Sequence, residues 1–220
     1  MSNYFSYLPD FEYVSRYAGA KISDYAPVKN FFKKGYLRDD IFKDLTTFTK
    51  YKIEGDDRPD NVAKKVYTNS NLDWIVLVSN NIINIQTEWP LTQQNYDNFL
   101  LDKYGSYENL NAIHHYESKE IKTADGIVLF PAGIWVDQNF SFIYTDVDTQ
   151  TVNKRTPAIP VTNQGYEEQI QEDKRNIYLL KPEYISIAID DLKEMMEYQK
   201  GSTQYMSRTL KRGENIRLYS

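Results

Sequence analysis

The sequence predicts an α+β fold, on three observations. Tyr51 to Asn84 reads as strand, tight turn, helix and second helix. Two short apolar runs, Ile127–Phe130 and Ile134–Val136, flank Pro131-Ala132-Gly133, the signature of a hairpin with a longer turn. Ile185, Ala188, Ile189, Leu192, Met195 and Met196 recur at helical spacing and form one apolar stripe.

In chain order, residues 1–47 are rich in aromatic side chains without a steady period of 2 or 3.6. Two readings stand. The segment is an ordered loop packed on its own chain, or an extended arm lying on neighbouring subunits. The arm is preferred, because long structureless loops inside compact domains are uncommon. Its candidate contacts are Tyr4, Phe5, Tyr7, Phe11, Phe31, Phe32 and Tyr36.

Residues 48–106 form a central unit with a following helix. Tyr51 and Ile53 alternate with Lys50 and Lys52, the period of a half-buried strand. Gly55-Asp56 signals a turn, Asp57 is a candidate helix cap, and Pro59 is tolerated in a first turn. Val62, Ala63, Val66 and Tyr67 make one apolar face. Ser70 and Asp73 repeat the capping arrangement before Trp74, Leu77 and Val78, and Asn80-Asn81 ends the second helix. Trp74 is expected on its inward face. Thr92 caps a further helix that stops at Gly105.

Residues 107–144 read as a small β region, with a third strand between Ile113 and Ile121. Residues 145–165, rich in Thr, Asn, Asp, Gln and Pro, read as a linker or long loop. Residues 166–200 carry the C-terminal amphipathic helix, starting at Pro182 or Glu183. Its stripe packs on its own domain or seals a contact with another subunit, so Ile185, Ile189, Leu192, Met195 and Met196 join the candidate contacts. Residues 201–220 form a basic tail with Arg208, Lys211, Arg212 and Arg217 against Glu214.

Composition narrows the function classes. The chain has 220 residues, 26 basic and 31 acidic, for a net charge of −5. That mild acidity argues against a general nucleic-acid binder, which would present a basic face. With no cysteine, disulfides and thiolate chemistry are excluded, consistent with assembly in a reducing cytoplasm. The start of the chain has no charged-then-apolar signal pattern, and no apolar run approaches the ~20 residues of a membrane span. The 19 tyrosines and 10 phenylalanines either fill the core or serve interfaces, and interface use is favoured.

Catalytic or metal chemistry finds no constellation. His114-His115-Tyr116-Glu117 holds both histidines. Adjacent strand residues point to opposite faces, so the two are not expected to hold one ion together. Asp56-Asp57 and Asp190-Asp191 are adjacent acidic pairs, and nothing sets two carboxylates across a substrate as glycoside hydrolysis requires. No GxSxG, HExxH or phosphate-loop pattern occurs. No catalytic, cofactor or metal residue is assigned.

Tyr51, Gly55, Asp56, Pro59, Ala63, Tyr67, Trp74, Asn80 and Ile82 together resemble a LysM module, a β-α-α-β unit best known for binding N-acetylglucosamine polymers. Adding Trp89-Pro90-Leu91-Thr92, Lys103-Tyr104-Gly105-Ser106, Ile113-His114-His115-Tyr116-Glu117, Thr162–Glu167, Lys174–Ile177 and Leu180–Tyr184 in that order, the chain resembles the LysM-like baseplate wedge proteins of T-even-type contractile-tail phages, from Tyr4 to about Met196. The resemblance implies a structural, non-enzymatic component of the virion's tail baseplate. It would join wedge subunits and neighbouring wedges around the hub, with other wedge subunits and the lysozyme-like sheath-initiating subunit as partners. The alternative it leaves open is a peptidoglycan-binding module at the host wall, with sugar lying between the turns Gly55–Pro59 and Asn80–Asn84.

Overall fold

A computed structural model describes residues 3–21, 23–123, 125–146, 150–201 and 203–213. The fold is mixed α+β, with short strands in small sheets. It divides into two compact units, residues 1–89 with 176–220, and residues 90–175.

The first unit opens with α1 (Tyr4–Tyr7), capped by the Asn3 side chain on the Ser6 amide. Strands β1 (Asp10–Val14) and β2 (Tyr25–Lys29) follow as an antiparallel pair. The short helix α2 (Asp39–Lys43) leads to β3 (Phe48–Lys52). Helix α3 (Pro59–Tyr67) has Pro59 in its first turn and ends at Thr68, which adopts a left-handed φ of 58°. Arg58 occupies the cap position without a side-chain bond, and Asp57 instead forms an ion pair with Lys65, so the expected Asp57 cap is corrected. A 3-10 turn, Ser70–Leu72, is capped by Asn69 rather than by Ser70. Helix α4 (Asp73–Ser79) then stops where Asn81 takes a φ of 53°. The short α5 (Ile85–Glu88) brings Trp89 back, and its indole donates to the Asp57 carbonyl at 3.0 Å. The first unit's N-terminal stretch ends at Trp89, short of the expected 106.

The second unit begins with α6 (Gln93–Tyr104), capped by Thr92 and closed by Gly105 at a φ of 73°, and α7 (Tyr107–Asn111). Its strands are β4 (Ile113–Ser118), β5 (Ile121–Lys122), β6 (Val128–Phe130), β7 (Trp135–Val136), β8 (Phe142–Thr145), β9 (Val152–Arg155) and β10 (Ala158–Thr162). They form a three-stranded sheet in the order β10-β4-β7 and two antiparallel ribbons, β5-β6 and β8-β9. The expected hairpin between 127–130 and 134–136 is therefore not made. Those runs pair with β5 and β4 respectively, because Ser118 draws the intervening turn onto itself: it accepts the Gly133 amide and donates its hydroxyl to the Pro131 carbonyl. Nor is 145–165 a linker. Its described residues include two paired strands and the start of α8 (Asn163–Arg175).

The chain then returns to the first unit. Strand β11 (Asn176–Leu180) pairs antiparallel with β3, and α4 packs on it. The strand closing the strand-helix-helix arrangement is thus β11, not the residues around Ile82. A turn at Pro182–Tyr184 enters α9 (Ile185–Met196). The stretch expected as a basic tail supplies β12 (Tyr205–Ser207) and β13 (Leu210–Arg212); Glu214 and Arg217 lie outside the described residues. Strand β13 runs parallel to β1, completing a sheet in the order β12-β13-β1-β2.

The main hydrophobic core lies within this first unit and gathers Leu8, Leu37 and Ile41 with α3, α4, β11 and α9. The extended arm is corrected accordingly: residues 1–47 contribute core side chains and two sheet strands. Gly35 packs closely there, since a Cβ would press on the Leu192 side chain.

Candidate interaction surfaces

The strand-helix-helix residues are mostly framework. Tyr67 is buried and its hydroxyl donates to the Leu180 carbonyl at 2.8 Å; burial pushes its pKa well above the usual phenol value. Asn80 acts as a side-chain extension of the sheet. Its amide donates to the Tyr178 carbonyl and its oxygen accepts the Tyr178 amide, both at 2.8 Å. Ala63 is fully buried, while Tyr51 and Ile82 pack against the core from its edge. Gly55 makes the turn with a φ of 55°, beside exposed Asp56.

Trp74 is 6% exposed and packs in the core, as its helical position predicts. Its ring lies 5.9 Å from Tyr4, whose hydroxyl accepts the Gly35 amide. The buried indole N–H has no partner among the described residues. The Trp74 residue borders a groove of about 760 Å³ whose walls include Phe5, Pro59, Ile83, Ile85 and Trp89. Ile83 and Ile85 are exposed.

The contact candidates of the N-terminal segment separate into two sets. Tyr4, Tyr7 and Phe11 are half-buried. Phe5, Phe31, Phe32 and Tyr36 are exposed, Phe32 completely, and Phe5 meets Phe31 edge-on at 5.9 Å. The stripe of α9 is corrected as a contact surface: Ile185, Ile189, Leu192 and Met196 are core residues, and only Met195 reaches a partly exposed position. Apolar periodicity reports which face is buried, and here the chain's own unit buries it.

Sequence reasoning read the helix from Thr92 to Gly105 and a small β region, but not that these join α8 in a separate second unit. Among its described residues, the buried apolar side chains are Leu100, Leu110 and Ile121. Buried Pro157 and half-buried Phe130, Phe140 and Phe142 add to these, beside a set of buried polar groups. Glu167, 2% exposed, accepts from Lys103 at 2.5 Å and from the Tyr104 hydroxyl at 2.9 Å, and this bond raises the lysine pKa. The Gln171 side chain accepts the Leu91 amide at 3.0 Å. Burial and nearby carboxylates push the Tyr96 phenol up to about 12. Meanwhile Val128, Trp135, Ile143, Val152 and Ile159 stand exposed on the short strands, with exposed Ile127 just before β6. The alternation Phe142-Ile143-Tyr144-Thr145 was a readable strand signal within a stretch assigned partly to a linker.

The histidines depart from the expected geometry. Pairing of β4 with β10 shifts register between Val161 and Thr162, opposite His115 and Ile113. Such an irregularity breaks the alternation of side chains. His114 and His115 consequently converge, with their Nδ1 atoms 2.8 Å apart. His115 stacks on Trp135, His114 on Tyr166, and the His115 Nε2 meets Glu117 at 2.9 Å. The adjacent acidic residues have cationic neighbours: Lys65 at Asp57, Lys193 at Asp190, and Arg38 at Asp191.

No described helix is long and apolar enough to cross a membrane. The family model described as "Base plate wedge protein 53" matches residues 4–195. A comparison with curated proteins gives no match.

Proposed function

The chain belongs to the base plate wedge protein 53 family, and from that premise we propose that it is a joint, tying wedge subunits and neighbouring wedges together around the hub. Membership makes it a structural component of a phage tail baseplate, in contact with other baseplate components. The finer reading is that it works by binding alone, without catalysis. Its partners are the other wedge subunits, the lysozyme-like sheath-initiating subunit and the adjacent wedges, met in the virion after synthesis in the host cytoplasm.

One observation carries this reading: apolar side chains exceed what the second unit buries. Against Leu100, Leu110 and Ile121 inside stand Ile127, Trp135, Ile143 and Val152 outside. Exposed apolar patches of this kind mark interaction sites. The two-stranded ribbons also leave backbone edges that another chain can pair with. In the first unit, Phe5, Phe31 and Phe32 add an aromatic rim.

Association through such surfaces resists salt, because apolar burial is little screened while exposed charge pairs are. The test is sizing chromatography of the full chain with its wedge partners across a salt series. Complexes should persist in roughly 0.5 M salt, where screening acts within about 4 Å. Complete dissociation there would give the joint to charge pairs.

The groove beside Trp74 favours a second reading, peptidoglycan binding, since it lies at the turns around Pro59 and Ile83 and sets the rings of Phe5 and Trp89 beside polar Asp60 and Asn71. Phe5 and Tyr4 of α1 form part of its wall, which ranks sugar binding second. Retention of the full chain on purified peptidoglycan, lost on closing the groove with Ile83→Trp, would reverse that order.

A further inference from the structure

We propose that His114 and His115 chelate a divalent ion of the nickel(II) or copper(II) class through their Nδ1 atoms. The register shift in β4 turns two consecutive imidazoles toward one point, with 2.8 Å between the nitrogens. An ion at about 2.05 Å from each, a usual metal–imidazole length, would subtend an angle of about 86°. That angle suits square-planar or octahedral coordination, the geometry of copper(II) and nickel(II), and lies well below the tetrahedral angle of structural zinc sites.

The surroundings prepare the pair. With both rings neutral, the His115 Nε2–H donates to the Glu117 carboxylate at 2.9 Å. This leaves a lone pair on the His115 Nδ1, on the side of the ring that faces His114. A carboxylate on the far nitrogen is the usual support of a metal-bound histidine, fixing its tautomer and raising its basicity. The rings are also held in place: His114 lies 4.1 Å from Tyr166 at 11°, and His115 lies 4.1 Å from Trp135 at 26°. His115 is nearly buried by side chain, whereas His114 is exposed and leaves an entry path. Without an ion, the His114 Nδ1–H donates to the His115 Nδ1. Ion binding moves that proton to the His114 Nε2 through solvent, so the tautomer changes and no net proton is released. No third histidine, cysteine or carboxylate converges there among the described residues, so water completes the shell.

The experiment titrates the full chain with NiCl2 in a non-coordinating buffer, following heat and Trp135 fluorescence. One equivalent should bind saturably and quench the indole, with ZnCl2 at least tenfold weaker. His114→Ala and His115→Ala should each weaken binding at least tenfold, and Glu117→Gln severalfold, with far-UV circular dichroism unchanged. A second measurement needs no variant: on adding ZnCl2 in excess, a diamagnetic stand-in, nitrogen-15 shifts should move at both Nδ1 atoms while His115 Nε2 stays protonated. Absence of saturable nickel binding, binding indifferent to both histidines (an adventitious ion only), or shifts confined to Nε2 would overturn the site.

Discussion

Trp74 illustrates how one residue separates a framework role from a binding role. Its ring fills the core, so Trp74→Ala should cost about 3–5 kcal/mol in chemical denaturation, the usual loss on emptying a large aromatic site. Its N–H has no partner among the described residues, so Trp74→Phe, which removes that donor and keeps an aromatic ring, should cost clearly less. An unchanged denaturation midpoint in the alanine variant would refute the core placement. In the second unit, Glu167 holds Lys103 and Tyr104 on one carboxylate oxygen inside a poorly apolar interior. Glu167→Ala removes the acceptor shared by Lys103 and the Tyr104 hydroxyl; because Lys103 is about half exposed and keeps water as a partner, that unit should lose only about 1–2 kcal/mol, read from amide exchange across residues 90–175. Glu88 gives the pH dependence. Its carboxylate accepts the Asn84 and Ile83 amides, and these bonds hold its pKa below the ordinary glutamate value. A depressed folded-state pKa contributes stability above the unfolded value, about 4.3, that is lost as pH falls through the folded one. Wild type should therefore lose more stability than Glu88→Gln between about pH 5 and 3, and identical acid profiles would contradict the assignment.

Among the elements, the N-terminal segment changes role once its pairing is visible. Strand β1 lies between β2 and β13, and Leu8 belongs to the core. Deleting residues 1–14 should lower thermal stability and expose β13, and a truncated chain that melts like wild type would restore the arm. Likewise Leu192→Ala should cost about 2–5 kcal/mol, because α9 is core rather than contact surface. The helices were legible: the stripe of Val62, Ala63 and Tyr67, the Thr92 cap with the Gly105 stop, and the Ile185–Met196 period all carry their signal within a few neighbours. Strand partners were not. The union of β3 with β11, the parallel pairing of β1 with β13 and the diversion of 131–134 onto Ser118 are long-range choices that alternation within a strand does not encode. The convergence of His114 and His115 was hidden for the same reason, since it depends on a register shift against β10. The contact candidates suffered from a related ambiguity: apolar period marks burial but not by whom, so α9 was overvalued and Trp135, Ile143 and Val152 were overlooked.

At the scale of the whole molecule, two units of unequal interior meet the demands of an assembly protein. The first has an extensive core, while the second rests on Leu100, Leu110, Ile121 and a polar network. Local stability follows buried apolar contact, so amides of residues 90–175 should exchange faster than those of α3, α4 and β11 in the free chain. The central claim is that the exposed apolar strands of the second unit and the aromatic rim of the first become buried in the baseplate. Hydrogen exchange of the full chain, measured free and in complex with its wedge partners, tests it most directly. New protection should appear in β4 and β7–β10 and around Phe31 and Phe32, with α9 unchanged. Protection confined to α9, or none in the second unit, would contradict it.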